Sequence, residues 1–224
     1  MLLVMTFHAA TLAEIAQGLN RDHIRNFGRG EELPAAFFIT DHKAVPHPEN
    51  IIAGLSAGCA VIFRDYDHPA REDAGAALAL SCRRRGILFL VAGDEGLAGR
   101  LQAAGIHLPE GQMDQAAKIR TRHPHWLITQ SCHDLTSVKR AENLPVDAAL
   151  IAPVFPTLSH PETRIDKDRT LGLSGLLDIV RQTTLPLYAL GGIGPENSHR
   201  LIGSGIAGIA AIRGFSRGNG KEKS

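Results

Sequence analysis

The sequence predicts a single-domain α/β fold, a (β/α)8 TIM barrel, on three observations. Short apolar runs alternate with longer amphipathic stretches from Ala35 onward, the order that builds right-handed βαβ units and a parallel sheet. There are eight such runs, the number that closes the sheet into a barrel. The clearest glycine signal, Gly191-Gly192-Ile193-Gly194, lies late, between the last two runs, where barrels commonly place phosphate sites. A doubly wound open sheet usually has fewer strands and a nucleotide fingerprint after the first of them.

The elements follow in order. In Thr11–Asn20, Leu12, Ile15, Ala16 and Leu19 share one face at helical spacing, which predicts an amphipathic N-terminal helix. Residues 1–34 form a helical extension on this reading, 35–215 the barrel and 216–224 a polar, disordered tail. Strand Ala36–Thr40 leads to helix Pro48–Ala57, Ala60–Arg64 to Ala70–Arg84, and Leu88–Ala92 to Glu95–Ala104. Gly105–Leu108 leads to Gln112–Arg122, and Trp126–Gln130 to Asp134–Asn143. After strand Ala148–Ala152 comes the longest loop, Phe155–Thr170, then helix Ser174–Gln182. A loop of that length is a substrate lid or a mobile surface segment. Strand Leu187–Leu190 precedes helix Glu196–Ile202, and Gly208–Ile212 is the last strand. Only twelve residues follow Ile212, and they are poor helix formers, so the eighth helix is truncated or absent. Either the N-terminal helix covers the strands left bare, or that side is a homo-oligomer interface.

With 224 residues, 44% of them hydrophobic, the chain can bury a full core. A formal net charge of +1 gives no electrostatic case for nucleic acid or an acidic membrane. No apolar run approaches the ~20 residues of a membrane span, and the apolar start, Met1–Phe7, lacks a basic n-region. Cys59, Cys82 and Cys132 are odd in number and form no CxxC pair, which fits a reduced, cytoplasmic setting.

Candidate site residues cluster where strands end. Backbone N–H groups at Gly191-Gly192-Ile193, at a helix start that Pro195 supports, can approach an anion closely, because glycine has no side chain to hold it off, or the segment is an ordinary tight turn. Arg213, after the last strand, adds a bidentate contact or lies in solvent. Arg64, followed by Asp65-Tyr66-Asp67-His68, stands where barrel active sites lie, or forms a surface ion pair. In Ser131-Cys132-His133 the imidazole is a proton shuttle or a structural hydrogen-bonding group, and Cys132 is a buried thiol rather than a nucleophile. Thr157, Leu158, Ser159 and His160 follow the sixth strand on a loop stiffened by Pro153 and Pro156. Asp94, beside Glu95, is a helix cap or a weak Mg²⁺ ligand. His107 packs or hydrogen-bonds within the fourth strand. The eleven histidines show no metal-binding spacing. The partner implied is a phosphorylated small molecule.

Together, Gly105-Ile-His-Leu108, Ser131-Cys-His133, Ala152-Pro-Val-Phe-Pro-Thr157, Leu171-Gly-Leu-Ser-Gly-Leu176 and Ala189-Leu-Gly-Gly-Ile193 resemble the thiamine phosphate synthase family. That family also includes the TenI-type thiazole tautomerases, and the resemblance runs from about Phe37 to Phe215. It implies a TIM barrel that joins hydroxymethylpyrimidine diphosphate to thiazole phosphate with Mg²⁺, releasing pyrophosphate. Pyrophosphate would leave first, and the thiazole nitrogen would then attack the pyrimidine cation. Carried over, Gly192, Ile212 and Arg213 hold the thiazole phosphate. Thr157, Leu158 and Ser159 line the thiazole pocket, and Arg64 and Ser131 face the pyrimidine diphosphate. The departures lie on the diphosphate side. The family's Gln-x-Arg-x-Lys is Ile62-Phe63-Arg64-Asp65-Tyr66 here, its Asn-Asp is Ala92-Gly93, and its Gly-Gln-x-Asp is Pro109-Glu110-Gly111-Gln112. A family lysine after the sixth strand becomes His160. The expectation is a synthase with a rebuilt diphosphate site. The alternatives are a tautomerase-like enzyme with His133 as acid/base, a non-catalytic binder of the thiazole phosphate, or an unrelated sugar-phosphate isomerase on the same fold.

Overall fold

Alternation decides which residues line the barrel. Phe37, Ile39, Ala60, Ile62, Leu90, Ala92, Ala148, Leu150, Tyr188 and Ala210 form one buried cluster inside the barrel. Their neighbours in the chain, including Phe38, Val61, Phe63, Val91, Ile151 and Ile209, pack outward in a second, larger cluster with the helices. Strands buried on both faces are the hallmark of a parallel sheet covered by helices. In the computed structural model, which describes residues 11–28, 33–159, 161–166 and 169–218, the strands are β1 (Ala36–Ile39), β2 (Cys59–Phe63), β3 (Leu88–Ala92), β4 (Gly105–Leu108), β5 (Leu127–Cys132), β6 (Ala148–Ile151), β7 (Leu187–Leu190) and β8 (Gly208–Ala211). They pair in parallel in chain order, and β8 pairs with β1 through Ala36–Ile209 and Phe38–Ala211 to close the barrel.

Eight α-helices are present among the described residues: α1 (Leu12–Phe27), α2 (Pro48–Gly54), α3 (Arg71–Arg84), α4 (Glu95–Arg100), α5 (Ala116–Arg122), α6 (Leu135–Glu142), α7 (Glu162–Ile165) and α8 (Gly172–Val180). α1 runs seven residues beyond the Asn20 boundary read from periodicity. Thr11 and Glu14 make a capping box at its start, and Gly28, at φ 63°, takes the left-handed turn that ends it. Leu12, Ala16, Leu19 and His23 are buried. The helix lies over β8 and β1, where Asn20 Nδ2 donates to Ala207 O at 3.0 Å and His23 Nδ1 donates to Gly205 O at 2.9 Å. The N-terminal helix thus covers the strands that a missing eighth helix would leave bare.

Two other predicted helices take a tighter form. Gln112–Arg122 is a 3-10 helix (Glu110–Gln115) running into α5. In place of Glu196–Ile202 there is only a 3-10 helix, Ser198–Leu201. After β8 the chain makes a 3-10 helix at Gly214–Gly218, so Ser216–Gly218 of the predicted tail continue this turn. Residues 1–10, 29–32 and 219–224 lie outside the described residues.

Candidate active site

The strand ends converge on one cleft of about 280 Å³. Its lining brings together Arg64 from the end of β2, Thr157, Leu158 and Ser159 from the loop after β6, Gly191 and Gly192 after β7, and Ile212 and Arg213 after β8. All eight belong to the predicted site. His160 lies outside the described residues.

The glycines make the cup possible. Gly191 and Gly192 sit at φ 97° and 66°, in the region that disfavours a side chain. A Cβ on Gly191 would lie 2.9 Å from Pro153 Cα, and one on Gly192 would overlap the Phe155 and Pro156 carbonyls. The loop after β6 can therefore lie directly on the turn after β7. Val154 N–H donates to Leu190 O at 2.9 Å and Phe155 N–H to Gly191 O at 3.0 Å. Among the described residues, the backbone N–H groups of Gly192 and Ile193 meet no acceptor. Two unpaired donors in a glycine turn form an anion-binding concavity. Arg213 Nη1 reaches across and donates to Ser159 Oγ at 3.3 Å, joining the β8 and β6 sides of the cleft.

Asn197 holds the turn's shape. Its Oδ1 accepts from Gly194 N–H at 3.0 Å, and its Nδ2 donates to Gly192 O at 2.7 Å. Beyond Asn197 the chain enters a short 3-10 helix, Ser198–Leu201, in place of the predicted α-helix. The cup is thus built from turn backbone and Arg213, with no α-helix N-terminus behind it.

Arg64 marks the opposite wall. Its Nη2 donates to Asp41 Oδ2 at 3.0 Å, and both side chains are partly buried. Asp41, just past β1, was not singled out in the sequence. The next carboxylate is structural: buried Asp65 accepts from Thr40 Oγ1 at 2.6 Å and from His42 N–H at 2.5 Å, tying the loop after β2 to the end of β1.

Three candidates lie off the cleft lining. Ser131 Oγ, inside the barrel on β5, is 2.8 Å from His107 Nε2. His133 Nδ1 donates to Ala152 O at 2.7 Å, and Ala152 itself lines the cleft. That bond fixes the neutral tautomer, leaving Nε2 as the basic atom, 3.9 Å from Glu110 Oε2. Asp94 caps α4: Oδ1 accepts from Leu97 N–H at 2.8 Å, while Oδ2 accepts from Arg71 Nη1 at 3.0 Å. Arg71 also donates to Ala92 O at 3.1 Å and lies 5.3 Å over the Tyr66 ring. That ring and Pro109 close over Gly93.

The donor set does not suit Mg²⁺, which is held by carboxylates free to face substrate phosphates. Both oxygens of Asp94 are engaged, one by a guanidinium. Among the described residues, no group of three His, Cys, Asp or Glu side chains is placed to hold a metal ion. Nor does Cys132 offer a nucleophile, since burial pushes its thiol up to about 12.

A family described as thiamine monophosphate synthase matches residues 36–215. Thiamine-phosphate synthase of Bacillus velezensis is 33% identical over 193 residues, 83% of this chain and 84% of its own. Thiamine-phosphate synthase of Pyrococcus furiosus is 31% identical, over 79% of this chain and 84% of its own. Among solved structures, thiamine phosphate pyrophosphorylase from Pyrococcus furiosus superposes with a TM-score of 0.67 at 28% identity, covering 80% of this chain and 85% of that one.

Proposed function

The chain belongs to the thiamine monophosphate synthase family, and on that premise we infer that it is a transferase of thiamine biosynthesis. It joins hydroxymethylpyrimidine diphosphate to thiazole phosphate and releases pyrophosphate. One observation carries the reading: the Gly191–Ile193 turn, Arg213 and the Thr157–Ser159 loop meet in a single cleft with Arg64 on its far wall. The turn and Arg213 take the thiazole phosphate, and Thr157, Leu158 and Ser159 take the ring. The thiazole nitrogen then faces the pyrimidine methylene carbon. The methylene C–O bond breaks, the electron pair leaves with pyrophosphate, and the nitrogen lone pair forms the new C–N bond.

Arg64 and the Ser131 hydroxyl meet the negative charge that builds on the leaving group, where fixed donors contribute most. No step runs through Mg²⁺, because Asp94 is committed to its cap and to Arg71. Purified protein given both substrates, with and without MgCl₂, should form thiamine phosphate and pyrophosphate in equal amounts. Tight binding of thiazole phosphate without product at high enzyme concentration would sink the reading.

A second, TenI-like reading rests on His133. Its Nε2 is the basic atom and Glu110 stands beside it, an arrangement suited to moving a proton on a bound thiazole phosphate. Loss of proton exchange in His133→Ala, with binding intact, would favour it. Three buried free cysteines support a cytoplasmic setting. No described helix is long and apolar enough to cross a membrane.

A further inference from the structure

Inside the barrel, below the cleft, lies a polar line that the proposed reaction does not yet use. His107 on β4 is 5% exposed, and Thr129 on β5 is fully buried. His107 Nδ1 is 2.9 Å from Thr129 Oγ1, and His107 Nε2 is 2.8 Å from Ser131 Oγ. Both hydroxyls come from β5, two residues apart, so both point to the same face as His107. The parallel register sets His107 opposite Thr129.

Burial, with a smaller contribution from the Arg64 charge, pushes His107 down to about 3. The ring is therefore neutral and has one N–H donor and one bare nitrogen. The two hydroxyls decide which is which. Thr129 Oγ1 meets no partner other than His107 among the described residues. A buried hydroxyl proton left without an acceptor is costly, so Thr129 donates to Nδ1. Nε2 then carries the proton and donates to Ser131 Oγ. Ser131, partly buried at the top of the line, has its lone pair engaged and its own proton free.

We propose that Thr129 and His107 are positioning residues that fix Ser131 as a hydrogen-bond donor into the barrel mouth, toward the leaving diphosphate. With the opposite tautomer, Ser131 would spend its proton on His107 and turn only lone pairs to an anion. The relay orients the donor without moving a proton. The proposal rests on the synthase reading only for what Ser131 faces; the direction of the relay stands on the buried geometry alone.

The test has two readouts, neither of which needs turnover. Long-range ¹H–¹⁵N correlation spectra of ligand-free protein should place the His107 proton on Nε2. In Thr129→Val the hydroxyl donor is gone, and that single-tautomer signature should be lost. Calorimetric titration with inorganic pyrophosphate should then show binding about tenfold weaker in Thr129→Val, the scale of one misdirected hydrogen bond, and restored in Thr129→Ser. The serine variant keeps the hydroxyl while losing a methyl group, so it separates relay from packing. A wild-type proton on Nδ1, or Thr129→Val with unchanged pyrophosphate affinity, overturns the proposal. If the tautomer and the pyrophosphate binding behave as expected while the two substrates give no product, the synthase reading fails and the relay stands.

Discussion

At the scale of single residues, the proposed phosphate cup depends on atoms that are missing. Gly192 combines positive φ with a carbonyl-lined floor, so a methyl group there meets both a backbone penalty and a clash. Gly192→Ala should cost more than ~1 kcal/mol of stability and weaken thiazole phosphate binding by at least about tenfold, read by thermal melting and calorimetry. That Gly191, Gly192, Thr157, Ser159 and Arg213 belong at the barrel mouth was legible in the sequence, because each lies in a short local motif after a strand. Asp41 was not, since its pairing with Arg64 depends on the lateral neighbour relation of β1 and β2. The line from Thr129 through His107 was hidden for the same reason: adjacency across β4 and β5 sets it, and a one-residue slip in register would break it.

At the scale of elements, a joint between the end of one helix and the approach to a later strand carries electrostatics worth measuring. Glu142, at the end of α6, accepts from Lys139 Nζ at 2.8 Å and from Thr184 N–H at 2.6 Å, just before β7. These donors favour the carboxylate and pull it from 4.5 down to about 2. A carboxyl depressed in the folded state stabilises above its unfolded value and loses that contribution as pH falls through the folded one. The joint should therefore be fully effective above pH 4.5 and weaken between 4.5 and about 2. Its contribution is on the order of 1–2 kcal/mol after allowing for partial solvent screening. Urea titrations at pH 2.5 and pH 6 should show a smaller stability difference in Glu142→Gln than in the wild type; equal differences would exclude the joint. Elements themselves were largely legible, because alternating apolar runs and amphipathic stretches are local patterns. The exception lies after β7. Asn197 spends its side chain on Gly192 and Gly194, and the chain turns where composition suggested a helix.

At the scale of the whole molecule, a closed sheet has no edge to protect, but one outer face still needs a cover. α1 supplies it with Leu12, Ala16 and Leu19. Fully burying a leucine is worth about 1.5–3 kcal/mol, so two of them are a large fraction of the roughly 5–15 kcal/mol that holds a typical domain. A chain lacking residues 1–28 should lose cooperative thermal unfolding and elute as aggregates in size-exclusion chromatography; a sharp, monomeric melt would show that the barrel stands without its cover. That α1 is a helix was readable from its spacing, and the short segment after β8 made it one of two candidate covers for the last strands; the choice between the two was not readable, because nothing local points from Leu12 to a strand near residue 208. The same separation has a consequence during synthesis. α1 leaves the ribosome before every strand of the barrel, and its receiving strand β8 leaves after the other seven. Until β8 emerges its apolar stripe lacks its main native partner, and such waiting surface is what chaperones bind and aggregation exploits. The emergence of β8, rather than of α1 itself, therefore completes the packing of this helix.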